Sequence, residues 1–519
     1  MNGAELLVKS AVTSGIEVCF INPGTTEMLL VRALDKVPGI RAILGLFEGV
    51  CTSAADGYGR MTGKPAMTLF HQGPGLANGI ANLHNAQQAR TPLFNVVGDH
   101  ATWHRAENPL FHLDIEALAA AVSGWHRTIG SVETVSHDVA EGITAALQGQ
   151  IASLIVPQDY QVAEPKTGPR TVISGPARFS LERIDQEAVE RASALLRNHS
   201  TTALILGGKA LSKRGLAAVA RIEAATGCDL FTEIFPTCWE RGAGLPVVQR
   251  TPHLPGRHNM RKYRGVLLAG TEEPVTFSGW QGFDSRILGR DQEKVSLTGP
   301  REDVVEALER LADALGAPGS SRLPSGMVAD LQRPDVPKGK LTVEKACQTL
   351  AALQPEGAIV VDEGITSSSA YYPMSPRVAP HTLLTAAGTT IGWGMPCAVG
   401  AAVASPDRPV IGLQADGSAM FTVQALWTQA REVLNVTTLI FSNRSYNALR
   451  NQLTREGVTS PGPAVRAVVE LERPSIGWVK IAQGLGVPAV SITTAEELAR
   501  ELRIALAESG PHLIEMVLQ

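Results

Sequence analysis

Asp416 and Asn443, 27 positions apart in a chain of 519 residues, are the pair whose types and spacing point most directly to chemistry. Each follows a short apolar run. Pro409–Leu413 leads into Gln414-Ala415-Asp416-Gly417-Ser418, and Thr437–Phe441 leads into Ser442-Asn443-Arg444-Ser445-Tyr446-Asn447. The spacing is that of one strand–helix–strand crossover with Met420–Val433 as its helix, and a parallel crossover sets the two strand ends side by side. A carboxylate, a carboxamide oxygen and a loop carbonyl suit Mg²⁺, which completes its octahedron with water and substrate phosphates. Gly417 and Ser418, just ahead of the helix, offer N–H groups to such phosphates. Read locally, Asp416-Gly417 is also a turn with a helix cap and Asn443 a loop residue.

Three further positions carry reactive types. Glu48 ends the apolar run Ala42–Phe47 and opens a helical stretch. A carboxyl there is either a proton-holding group in apolar surroundings or a first-turn acid favoured by the helix dipole. His71 ends the run Ala66–Phe70 and opens a Gly-rich loop, where an imidazole can move protons near neutrality. Asn22-Pro23-Gly24-Thr25 also leaves a strand, so the Thr25 hydroxyl either caps a helix over Met28–Leu34 or binds a substrate carboxylate.

The elements that must hold these residues are legible in the apolar runs. They include Val18–Ile21, Pro92–Val97 and Ile151–Val156, then Ala203–Leu206, Asp229–Ile234 and Gly265–Ala269, then Ala358–Val361 and Leu513–Leu518. Runs of four to six residues separated by helix-length segments predict parallel sheets with crossover helices. Two Pro/Gly/Ser-rich stretches, Val162–Ser180 and Gly316–Lys340, read as linkers. The expectation is an α/β protein of three doubly wound parallel-sheet domains over 1–165, 178–318 and 340–519. Ligands in such sheets bind where strands end at their carboxyl side.

Composition narrows the partners. With 44% hydrophobic and 18% charged residues, whole-chain disorder is excluded. A net charge of −4 without a basic run argues against nucleic acid or an anionic membrane. Glu5 and Lys9 interrupt any N-terminal signal core, and the six scattered cysteines form no CxxC pair, so a cytoplasmic location is expected.

The stretch ADGSAMFTVQALWTQAREVLNVTTLIFSNRSYNAL resembles the thiamine-diphosphate motif that begins GDG and ends in NN, in the form seen in benzoylformate decarboxylases and acetolactate synthases. Ala415 and Ser442 depart from it, at positions that supply no metal side chain. The resemblance implies Mg²⁺ on Asp416, Asn443 and the main-chain oxygen of Ser445, with diphosphate contacts at Gly417, Ser418, Tyr446 and Asn447. EGVCTSAADGYGRMTGKPA resembles the same family's segment for the activating glutamate, here Glu48, which faces the aminopyrimidine ring. TAAGTTIGWGMPCAVGAA resembles the segment that bends the coenzyme, with Ile391 as the wedge and carbonyls around Gly388 and Thr389 at the amino group. Thr366, in the loop after Ala358–Val361, resembles another diphosphate contact, and Asn22-Pro23-Gly24-Thr25 resembles the NPGS turn beside cofactor and substrate.

The resemblance covers nearly the whole chain. It implies a pyrimidine-binding domain, a central domain and a diphosphate-binding domain, with active sites between subunits of a homodimer or homotetramer. The implied substrate is a 2-oxo acid. His71 matches a proton-transfer histidine of benzoylformate decarboxylases, but Glu273–Trp280 lacks their second one, which favours carboligation over plain decarboxylation. Cleavage of a cyclic diketone and a non-catalytic flavin-binding role are the rivals. FAD is possible but has no motif behind it. His100 and His104, four apart, lack a third ligand for zinc, and GGKA at 207–210 is not a phosphate loop.

Overall fold

A computed structural model describes residues 1–166, 175–252, 260–279 and 281–518. Trp280 lies outside them. The front sheet holds β1 (Val18–Asn22), β2 (Arg41–Leu44), β3 (Ala66–Phe70), β4 (Leu93–Asp99), β5 (Trp125–Thr128) and β6 (Ile151–Pro157) in the order β2-β1-β3-β4-β6-β5. The middle sheet holds β7 (Thr202–Leu206), β8 (Asp229–Thr232), β10 (Gln249–Arg250), β11 (Gly265–Ala269) and β12 (Glu293–Ser296) in the order β10-β8-β7-β11-β12. Both are parallel throughout and are covered by crossover helices.

The rear sheet runs β17-β18-β16-β15-β13-β14-β9. Its parallel strands are β13 (Ile359–Glu363), β14 (His381–Thr385), β15 (Val410–Ala415), β16 (Val436–Ser442), β17 (Ala489–Ile492) and β18 (His512–Val517). Its last strand, β9 (Cys238–Arg241), comes from the middle block and pairs antiparallel with β14, His381 opposite Arg241. The middle and rear blocks therefore share a sheet edge and one continuous apolar core. An edge strand of mixed polarity such as Cys-Trp-Glu-Arg carries no buried-strand signature, which is why the apolar runs do not reveal it.

The front and rear domains meet through α1 (Glu48–Thr62), α2 (Gln72–Gln88) and α3 (Gly394–Ala404). A Cβ on Gly400 would stand 1.9 Å from the Ala54 carbonyl oxygen, and one on Gly57 2.3 Å from that of Cys397. Glycine is needed at both points because the α1 and α3 backbones touch. Among the described residues no helix is long and apolar enough to cross a membrane.

Candidate active site

Beyond the last registered pair of β15 and β16, Ala415 opposite Phe441, Asp416 is the next residue and Asn443 the second. Asp416 is buried; its Oδ1 accepts the Gly417 N–H at 2.9 Å and its Oδ2 the Arg444 N–H at 2.6 Å. Arg444 follows Asn443, so this bond joins the two loops. Burial pushes the Asp416 carboxyl up to about 6 against the pull of those N–H groups. The Asn443 Oδ1 accepts from the Ser445 N–H at 2.9 Å, and its Nδ2 donates to Ser367 Oγ at 3.3 Å. The Ser445 carbonyl accepts the Asn447 N–H at 2.9 Å. A Cβ on Gly417 would lie 2.4 Å from the Tyr446 ring, so the turn accepts only glycine under that ring.

Glu48 is the first residue of α1 and is buried. Its strand is shorter than the apolar run: β2 stops at Leu44 and the chain bends at Leu46 and Phe47, with a Cβ on Gly45 standing 2.6 Å from Cys51 Sγ. The Glu48 Oε2 accepts from Asn78 Nδ2 at 3.1 Å, and a Cβ on Gly75 would stand 3.4 Å from Oε1. The first turns of α2 thus form one wall of the Glu48 pocket.

His71 precedes α2. Its Nδ1 lies 2.8 Å from Glu27 Oε2 and 3.0 Å from Thr26 Oγ1. Glu27 is fully buried and also accepts the Gly24 N–H at 3.0 Å and the Thr26 hydroxyl at 2.5 Å. With Thr26 donating to Glu27, Nδ1–H donates to the carboxylate and Nε2 is left as the exchanging nitrogen. The ring lies against the Asn22-Pro23-Gly24-Thr25 turn, since a Cβ on Gly24 would be 2.2 Å from it, and Phe111 packs edge-on at 5.3 Å. Thr25 is exposed at the head of a single 3₁₀ turn, and the hydroxyl joined to His71 is that of Thr26. Sequence reasoning missed Glu27. The available signal was Gly98 within the apolar β4, where a Cβ would strike Glu27 Oε1.

Within one chain the loop after β14 is held by the front domain. Thr389 has φ 57°, and Asn85 clamps Thr390, donating to its carbonyl at 2.8 Å and accepting its N–H at 3.2 Å. A Cβ on Gly388 would stand 2.8 Å from Asn85 Oδ1. Asn82 Nδ2 bridges the Gly49 carbonyl at 2.9 Å and the Gly392 carbonyl at 3.1 Å, tying the first turn of α1 to the loop that carries half-buried Ile391. The loop at Thr366, whose carbonyl accepts the Ser369 hydroxyl at 2.9 Å, reaches the metal-type loops through Ser367 and Asn443.

Residues 1–118 match the thiamine pyrophosphate enzyme, N-terminal TPP binding domain, and residues 364–516 match the C-terminal TPP binding domain of the same enzymes. The chain belongs to the thiamine pyrophosphate enzyme family. It is 45% identical, over 100% of this chain and 99% of the relative, to a Mycobacterium tuberculosis protein named "Putative acetolactate synthase large subunit IlvX". It is 28% identical to benzoylformate decarboxylase of Pseudomonas aeruginosa over 97% of this chain and 96% of that one. Its fold is that of the Rhodococcus jostii thiamine diphosphate-dependent 4-hydroxybenzoylformate decarboxylase, with a TM-score of 0.87 at 23% identity over 100% of this chain and 99% of that chain.

As a thiamine pyrophosphate enzyme, the protein binds its coenzyme through the front and rear domains. The rear loops fit Mg²⁺, because Asp416, Asn443 and the Ser445 carbonyl follow neighbouring strand ends and offer only oxygen, with one carboxylate. At the end of β7 in the middle domain, Glu233 Oε1 takes the Gly208 N–H at 3.3 Å, so that donor is already engaged. His100 and His104 stack edge to face with centroids 5.7 Å apart. Among the described residues the grouping of possible metal ligands is His137, Asp138 and Glu141, and Arg127 already pairs with both carboxylates.

Proposed function

We propose that this protein is a Mg²⁺-dependent carboligase that decarboxylates a pyruvate-like 2-oxo acid and transfers the acyl unit to an acceptor carbonyl. The observation that carries the reading is full-length identity of 45% to a relative named as an acetolactate synthase large subunit. When bound, thiamine diphosphate supplies an electron sink for the carbon–carbon bond that breaks. Glu48 holds a proton against the aminopyrimidine ring. Asp416, Asn443 and the Ser445 carbonyl hold the metal. Gly417, Ser418, Tyr446, Asn447 and Thr366 would receive the diphosphate, and Gly388, Thr389, Ile391, Pro23 and Gly24 would support the rings. Thr25 receives the substrate carboxylate, and His71 moves a proton at Nε2 with Glu27 fixing its tautomer.

In this reading 1–165 is the pyrimidine-binding domain, 178–318 the central domain and 340–519 the diphosphate-binding domain. The front domain of one cytoplasmic subunit and the rear domain of its neighbour share one coenzyme in a homodimer or homotetramer. A second reading, release of an aldehyde, is favoured by the pairing of half-buried His71 with buried Glu27, which is suited to protonating a product carbon. NMR of holoenzyme incubated with pyruvate and other 2-oxo acids, with and without an added aldehyde, separates them. Carboligation gives a 2-hydroxy ketone or 2-hydroxy-3-oxo acid. Aldehyde alone in every mixture would replace it with the second reading, and no CO₂ from any 2-oxo acid would overturn both.

A further inference from the structure

We propose that Glu363 is a positioning residue for the coenzyme, a buried carboxylate that fixes the loop carrying Ile391 relative to the loops that hold the diphosphate and metal. The inference rests on the coenzyme site described above. Glu363 ends β13 and is 2% exposed. Its Oε1 accepts the N–H groups of Gly392 at 2.7 Å and Trp393 at 3.0 Å, and its Oε2 that of Gly394 at 2.9 Å. These three consecutive N–H groups open α3, where a helix leaves its donors unpaired and its dipole favours an anion. The Gln414 carboxamide, with its nitrogen toward Glu363, adds a fourth donor at 3.0 Å from β15, two residues before Asp416. On the main chain, the Glu363 carbonyl accepts the Ser418 hydroxyl at 3.3 Å.

One residue therefore joins the Ile391 loop, the Thr366 loop that starts at Gly364, and the Asp416–Ser418 turn. The fit is tight: a Cβ on Gly394 would stand 2.2 Å from the Gln414 carboxamide and 2.8 Å from Glu363 Cβ. Asn82 and Asn85 hold the same loop from the front domain, so Glu363 is its tether on the rear side. A glutamine at 363 would point an N–H₂ group at backbone N–H donors, and an aspartate would withdraw the anchor by one methylene. Both changes keep the Glu363 carbonyl that accepts the Ser418 hydroxyl.

The test compares two ligands in the apoprotein, each with Mg²⁺, by calorimetry. Thiamine diphosphate needs the Ile391 loop and the diphosphate loops together, whereas inorganic pyrophosphate needs only the latter. Glu363→Gln should weaken thiamine diphosphate binding tenfold or more while pyrophosphate binding stays within twofold. Glu363→Asp, the milder variant should the first fail to fold, should show the same split at about threefold. Equal loss of both ligands, or no loss of either, would overturn the proposal. Wild-type protein that binds pyrophosphate but no thiamine diphosphate would instead overturn the coenzyme reading itself.

Discussion

At the rear of the site, Asp416 and Glu363 are buried carboxylates whose partners are backbone N–H groups, two for Asp416 and three for Glu363. At the front, Glu27, Thr26 and His71 hold one another mainly through side chains, and the His71 ring is flanked by Phe111, half of which is exposed. Leu110, the residue before Phe111, is exposed as well. The contrast assigns the two ends different tasks. Backbone-made bonds hold a constant ligand in one geometry, since strands and helix ends fix the donors. A side-chain network beside an open, apolar loop can be retuned for a substrate without disturbing the sheets.

The difference can be broken most severely at Glu48. Glu48→Ala should lower turnover by roughly 10³–10⁴-fold with thiamine diphosphate still bound, as read by kinetics beside calorimetry. Near-wild-type turnover would remove Glu48 from the mechanism. His71→Ala should cost about 10²–10³-fold in kcat, and Glu27→Gln a smaller part of that, because it leaves the imidazole in place without its carboxylate. An unchanged pH–rate profile in Glu27→Gln would contradict the tautomer assignment. Asp416→Ala should act on binding instead, weakening Mg²⁺-dependent coenzyme affinity by about 10–100-fold. Calorimetry showing unaltered affinity would sever the rear loops from the metal.

The smallest effect sharpens the contrast through stability. His381, on β14, is 1% exposed, and burial holds its imidazole down at about 4, below the ordinary 6.5. Unfolding therefore takes up a proton, so the stability it contributes is complete above about 6.5 and is lost as pH falls toward 4. The full span corresponds to roughly 3 kcal/mol. Urea unfolding at several pH values should show a flatter acid limb for His381→Gln, while an identical limb would place the acid sensitivity elsewhere.

Much of this architecture is written in local pattern. The runs Ala66–Phe70 and Gly265–Ala269 coincide with β3 and β11, because strands buried on both faces need continuous apolar side chains. Trp125–Thr128, Cys238–Arg241 and Glu293–Ser296 were invisible for the converse reason: they lie at sheet edges and alternate with polar residues. Asp416, Asn443, Glu48 and His71 stand out in the sequence because each sits where an apolar run ends. Glu27 and Glu363 were not singled out. A carboxylate's role comes from its partners, and theirs, His71 and Gly392–Gly394, lie 44 and about 30 positions away in sequence.

The most direct test of the shared coenzyme site is complementation between two inactive chains, Glu48→Gln and Asp416→Ala, co-expressed and assayed as mixed oligomers. If the front domain of one subunit and the rear domain of another serve one site, each mixed dimer has one site with both defects and one with neither, and activity returns. Activity that stays absent in mixed oligomers of verified composition would contradict that arrangement.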